Sequence, residues 1–87
     1  MSELENRFES ASEEVKQLPE RPDNENLLKL YAHFKQATKG DVSGKVPGIM
    51  DFAGRAKYQA WESLKGTSQE EAMQSYVDLV EKLKAGT

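Results

Sequence analysis

The chain has 87 residues, 37% hydrophobic and 31% charged, with 12 basic and 15 acidic side chains and a net charge of −3. One domain, residues 1–87, accounts for that length, and the acidic balance argues against nucleic acid as a partner. The absence of cysteine removes disulfides, thiolate metal sites and cysteine nucleophiles together.

No apolar run approaches the ~20 residues of a membrane span. The start, Ser2-Glu3-Leu4-Glu5-Asn6, is acidic and polar, unlike a signal peptide. These features predict a cytoplasmic protein. A short chain without covalent staples builds a core most readily from helices.

Four segments carry helical periodicity. In the first, Leu4, Phe8, Ala11, Val15 and Leu18 recur at alternating spacings of four and three, one stripe of a helix. Ser2 with Glu5 reads as a capping box and Pro19 as the stop. Pro19 and Pro22 enclose a turn. Asp23 or Asn24 then caps a second helix, whose apolar members are Leu27, Leu28, Leu30, Tyr31, Phe34 and Ala37. That face is wider than one stripe. Gly40 ends the helix, with Lys35 and Lys39 in its last turns, where the helix dipole favours cations.

Residues 40–50 read as a loop, with Gly44, Pro47 and Gly48 as its turn residues. Asp51 caps a third helix carrying Ala53, Ala56, Ala60, Trp61 and Leu64, and Gly66 ends it. Ser68 with Glu71 reads as a second capping box, opening a fourth helix with the stripe Met73, Tyr76, Val77, Val80 and Leu83. No segment alternates like a strand, so the expected class is all-α. The first and third links are short, which predicts antiparallel neighbours. An extended loop of eleven residues spans up to ~36 Å, more than the ~24 Å of a sixteen-residue helix. The second link therefore permits the second and third helices to run parallel.

Little here resembles a catalyst. His33 is the only histidine, and no cysteine or second histidine stands ready to build a triad or metal cluster with it. Glu13-Glu14 and Glu70-Glu71 fit solvated or capping positions, and no phosphate-cradling glycine fingerprint occurs. The aromatic and basic residues carry more. Tyr31, Phe34 and Lys35 share a helical face, and Lys57 and Trp61 repeat the pairing on the third helix, with Tyr58 beside them and Tyr76 on the fourth. Trp61 reads as core. Lys35 and Lys57 beside Tyr31 read as phosphate charge next to a stacking surface.

Charge is unevenly distributed. Residues 1–28 hold three basic and eight acidic side chains, net −5; residues 29–66 hold seven and three, net +4; residues 67–87 hold two and four, net −2. A basic centre with interleaved aromatics suits a single phosphorylated aromatic ligand better than a duplex. The competing reading is a small helical protein-interaction adaptor that docks a partner helix on the wide face of the second helix.

Tyr31-Ala32-His33-Phe34-Lys35-Gln36-Ala37-Thr38-Lys39-Gly40-Asp41 closely resembles the signature of the acyl-CoA-binding protein (diazepam-binding inhibitor) family. Pro47-Gly48, Ala56-Lys57-Tyr58-Gln59-Ala60-Trp61 and Lys65-Gly66-Thr67-Ser68 continue the pattern in order, and the likeness covers nearly the whole chain. The resemblance implies a four-helix up-down-down-up bundle that binds long-chain fatty acyl-CoA esters as an intracellular pool former and carrier. It implies no enzymatic activity and no cofactor. It further implies a monomer in transient contact with acyl-CoA-using enzymes or membranes.

In such proteins, residues matching Lys35, Lys57 and Tyr31 hold the ribose 3′-phosphate, and the one matching Phe34 stacks on adenine. The match to Lys16 reaches the nucleotide phosphates. Those matching Ala53 and Tyr76 lie along the ligand, and the acyl groove is lined by matches to Phe8, Leu27, Leu28 and Leu30. Three positions depart from the pattern. Phe34 stands where most members have tyrosine, Tyr58 replaces a frequent tryptophan, and Ala53 replaces a longer polar or basic residue.

Overall fold

The computed structural model describes residues 2–86. Helix α1 spans Glu3–Glu14. Ser2 caps it reciprocally: its hydroxyl accepts from the Glu5 amide, and its own amide donates to Glu5 Oε1, both at 3.1 Å. The stripe predicts one helix as far as Leu18, but the α geometry stops at Glu14 and a 3₁₀ turn, Val15–Gln17, follows. The cause is Pro19, which forces Leu18 into extended backbone at ψ 139°.

Helix α2 spans Asn24–Lys39. Asp23 is its cap, accepting from the Asn26 amide at 2.8 Å. Gly40 ends it at φ 83°, ψ −151°, backbone open in practice only to glycine. Helix α3 spans Phe52–Glu62, with Asp51 accepting from the Gly54 amide at 2.9 Å. A Cβ at Gly54 would collide with that carboxylate. Helix α3 ends earlier than Gly66 suggests. Tight turns carry the chain on, with Leu64 and Lys65 amides donating to the Trp61 and Glu62 carbonyls, and Gly66 sits at φ 93°. Helix α4 spans Gln69–Lys84. Its cap differs from a reciprocal box: Ser68 accepts from the Glu71 amide, while its hydroxyl donates to Glu71 Oε1.

The side-chain pairings give the directions. Phe8 meets Tyr76 and Glu14 meets Lys84, so α1 and α4 run parallel. Phe34 meets Tyr76 and Ala37 meets Gln69, so α2 opposes α4. Tyr31 meets Lys57 and Lys35 meets Trp61, so α2 and α3 run parallel. The order is up-down-down-up, as the long second link allows. Helices α1 and α2 both pack on α4, whereas α3 packs on α2 alone among the principal helix contacts.

The core is Phe8 and Ala11 of α1, Leu30 and Ala37 of α2, and Ala72, Tyr76, Val77 and Val80 of α4. Alanines at three of these positions let the helix backbones approach closely. Helix α3 contributes one buried side chain, Trp61. A polar clip secures the lower end. Gln36, wholly buried, donates through Nε2 to Asp41 Oδ1 at 2.9 Å and to the Thr67 carbonyl at 2.7 Å. The Gly66 amide donates to the same Asp41 oxygen at 2.9 Å. This clip ties the end of α2 to the link between α3 and α4. No helix among the described residues is long and apolar enough to cross a membrane.

Candidate functional site

One turn of α2 separates Tyr31 from Lys35, which places their side chains on one face. The Lys35 ammonium lies 5.8 Å from the Tyr31 ring centroid and 5.7 Å from that of Trp61. Helix α3 runs alongside in the same direction and brings the Lys57 ammonium to 5.6 Å from the same Tyr31 ring. Two cations from two helices thus converge on one tyrosine. Ring quadrupoles hold ammonium groups without neutralising them. Neither lysine has a carboxylate partner among the described residues. The pair keeps its charge for an anion.

Tyr31 also walls an apolar groove. Val15, Lys16, Pro22, Leu27, Leu30, Tyr31, Phe34 and Tyr76 enclose a cavity of about 290 Å³ between the end of α1, α2 and α4. Phe34 is 38% exposed, with its ring stacked on Phe8 at 5.5 Å and 29°. Phe8 meets Tyr76 edge-on at 5.1 Å, and Phe34 meets Tyr76 at 5.9 Å. This triad gives the groove an aromatic base. Burial pushes the Tyr76 phenol above its ordinary pKa and keeps it neutral. Lys16 stands at the groove with its ammonium 3.8 Å from Glu13, both side chains 71% exposed.

The residues singled out from the sequence fall into three groups. Tyr31, Lys35 and Lys57 come together, and Lys16, Leu27, Leu30, Phe34 and Tyr76 line the groove beside them. Phe8 is buried behind the groove as core. Leu28 and Ala53 stand outside the groove wall, Leu28 half-buried on α2 and Ala53 exposed in the first turn of α3. Val15 and Pro22 join the wall; the sequence offers Val15 only as stripe and Pro22 only as a helix breaker. His33 spends its Nδ1 on the Lys29 carbonyl, 2.7 Å away within α2. Two larger depressions, of about 440 and 690 Å³, contain carboxylates and none of the site's aromatics.

An apolar groove that shares one tyrosine with an unpaired lysine couple defines a small helical binding bundle. Comparison with known proteins narrows that class. The family model described as Acyl CoA binding protein matches residues 5–80. The acyl-CoA-binding protein homolog of Drosophila melanogaster is 47% identical over 79 residues, 91% of this chain and 92% of its own. The acyl-CoA-binding protein of Saccharomyces cerevisiae is 47% identical over 78 residues, 90% of each. The crystal structure of Oryza sativa acyl-CoA-binding protein 2 superposes with a TM-score of 0.90 at 41% identity, covering 95% of this chain and 92% of that one. The chain belongs to the acyl-CoA-binding protein family.

Proposed function

We propose that this chain binds long-chain fatty acyl-CoA esters non-covalently and serves as their intracellular pool and carrier, without catalysing a reaction on them. The observation that carries this reading is the sharing of Tyr31 between the lysine couple and the apolar groove. An acyl-CoA has a polyanionic nucleotide head joined to a hydrocarbon tail, and both needs meet at that residue. In this reading Lys35 and Lys57, with Tyr31, hold the 3′-phosphate through charge-assisted bonds. Phe34 offers its exposed ring to adenine, and Lys16 reaches the remaining phosphates. The tail lies along Tyr76, Leu27 and Leu30 over the Phe8 base, with Leu28 and Ala53 at the margins.

Each methylene taken from water contributes ~0.8 kcal/mol, about fourfold in affinity, until the groove is filled. Titration calorimetry across CoA, short-chain and long-chain acyl-CoA tests this directly. Affinity is expected to climb with chain length and then level off. Equal affinity for CoA and palmitoyl-CoA refutes the groove. Equal affinity for palmitoyl-CoA and its dephospho analogue refutes the 3′-phosphate assignment. Free palmitate, lacking the head, is expected to bind poorly.

A further inference from the structure

The groove beside Tyr31 is small for the tail it is proposed to hold. It measures about 290 Å³. A methylene takes up about as much space as a water molecule in the liquid, ~30 Å³, so the groove has room for roughly ten. Its Phe34 end is assigned to adenine, which leaves room for fewer. A long-chain tail therefore outgrows it. Along α2 the groove runs from Phe34 past Tyr31 and Leu27 toward the start of the helix, and Pro22 stands there as its wall. Pro22 is also a wall of the larger depression of about 440 Å³. The two cavities share that residue and lie next to each other.

The larger cavity lies where α1 ends, α2 begins and α4 ends. The first link contributes Leu18, Pro19 and Pro22, α2 contributes Asn26, and the end of α4 contributes Leu83, with Gly86 just beyond it. The two prolines fix the backbone of the link, so this wall is in place before a ligand arrives. Charged residues line the cavity as well, and two of them are engaged by the fold. Lys84 is held by Glu14 at 3.0 Å and Glu81 at 3.5 Å, and Asp23 accepts from the Asn26 amide. The other two, Glu20 and Arg21, are exposed. Leu18, Pro19, Pro22 and Leu83 are left to meet a hydrocarbon chain. Apolar walls with a few polar groups between them are the usual make-up of a ligand cavity.

We propose that the cavity beyond Pro22 is a second chamber of the ligand site, which receives the distal carbons of an acyl tail longer than about ten carbons. It rests on the acyl-CoA reading and extends it to chain length. Tyr31, Lys35 and Lys57 fix the head, the groove takes the near part of the tail, and Leu18, Pro22 and Leu83 take the far part. Medium-chain esters stop short of Pro22, and long-chain esters cross it.

The experiment follows the backbone amides by nitrogen–proton correlation NMR while the wild-type chain is saturated with octanoyl-CoA or with palmitoyl-CoA. Both esters are expected to move the amides of Tyr31, Lys35 and Lys57. Only palmitoyl-CoA is expected to move those of Leu83 and Gly86. Calorimetry on a filled chamber gives a second readout. Asn26→Trp, which adds an indole there, is expected to lower the preference for palmitoyl-CoA over octanoyl-CoA by at least about tenfold, the worth of fewer than two methylenes at about fourfold each. If the Leu83 and Gly86 amides stay in place under saturating palmitoyl-CoA while Tyr31 and Lys57 move, the proposal fails and the acyl-CoA reading stands. An unchanged preference in Asn26→Trp overturns it equally. If neither ester moves Tyr31, Lys35 or Lys57, both readings fail together.

Discussion

Trp61 of α3 donates its indole N–H to the carbonyl of Gly40 at the end of α2, 2.8 Å away. It is also the only buried side chain that α3 contributes. One ring therefore fixes how α3 lies on α2, and with it the position of Lys57, one turn back along the same helix.

Replacing that ring with a smaller one tests the link. Trp61→Phe is expected to cost about 1–2 kcal/mol of stability, through one hydrogen bond and some packing. It is also expected to weaken palmitoyl-CoA binding, although Trp61 is given no ligand contact. Urea unfolding and calorimetry on the same variant give both numbers. Unchanged affinity beside reduced stability would separate α3 docking from Lys57 placement.

Gly40 supplies the acceptor from a conformation that L-residues avoid. Nothing lies within 4 Å of where a Cβ would stand. The effect of Gly40→Ala is thus backbone strain without collision, expected at about 1–3 kcal/mol by chemical denaturation. A neutral result would mean that the chain relaxes there and that the Trp61 bond tolerates the shift.

The lysines are not equivalent. Lys35 is half-buried between two rings and has no carboxylate, whereas Lys16 is widely exposed and shares its charge with Glu13. Lys35→Ala and Lys57→Ala are each expected to cost more than ~1.5 kcal/mol in acyl-CoA affinity. Lys16→Ala is expected to cost less, and its effect to fade with salt. Calorimetry at two ionic strengths checks the ranking. If Lys16→Ala proves the largest loss, the phosphate assignment has been placed at the wrong lysines.

Stability should respond to pH at both extremes. The Gly66 amide, and then Gln36, hold the Asp41 carboxyl below its ordinary pKa, and the Ser2 amide and hydroxyl do the same for Glu5. A carboxyl lowered in the native state contributes fully above its unfolded value near ~4 and loses that contribution as pH falls through the native value. Melting temperature should therefore drop below pH ~4, less steeply in Asp41→Asn. At the alkaline end, the hydrogen bond to Glu14 raises Lys84, and burial raises Tyr76. Their contribution is present below the unfolded values near ~10 and is lost as pH rises through the native ones. Thermal melts across both limbs test the four groups, and Tyr76→Phe isolates one of them.

Much of this architecture is local and so was readable from the chain. Ser2, Asp23, Asp51 and Ser68 each cap a helix with a bond three residues long, and Gly40 and Gly66 each supply the positive φ that ends a turn. The Tyr31 and Lys35 pairing follows from helical spacing alone. What spacing does not carry is contact across the bundle. The burial of Gln36 depends on Thr67, 31 positions on, whose carbonyl supplies its acceptor, and helical spacing says nothing of that. Phe8 shares a helical stripe with Val15, which lines the groove, yet Phe8 turns inward and meets Tyr76 of α4 edge-on behind it. The exposure of Ile49 and Met50 is not legible either, because Gly44, Pro47 and Gly48 announce a loop and say nothing of the side chains that follow.

The up-down-down-up order also shapes how the molecule comes into being. Half of the core belongs to α4, and its partner α1 is joined to it across as many as 70 positions, as in the Lys84 and Glu14 pair. A chain emerging from the ribosome can form α1, α2 and α3 and still have no core to close. Folding must wait for the last helix to arrive, and contacts so distant in sequence are slow to form beside those of a simple up-and-down bundle. A break anywhere in α4 would therefore remove the element that converts three amphipathic helices into a protein.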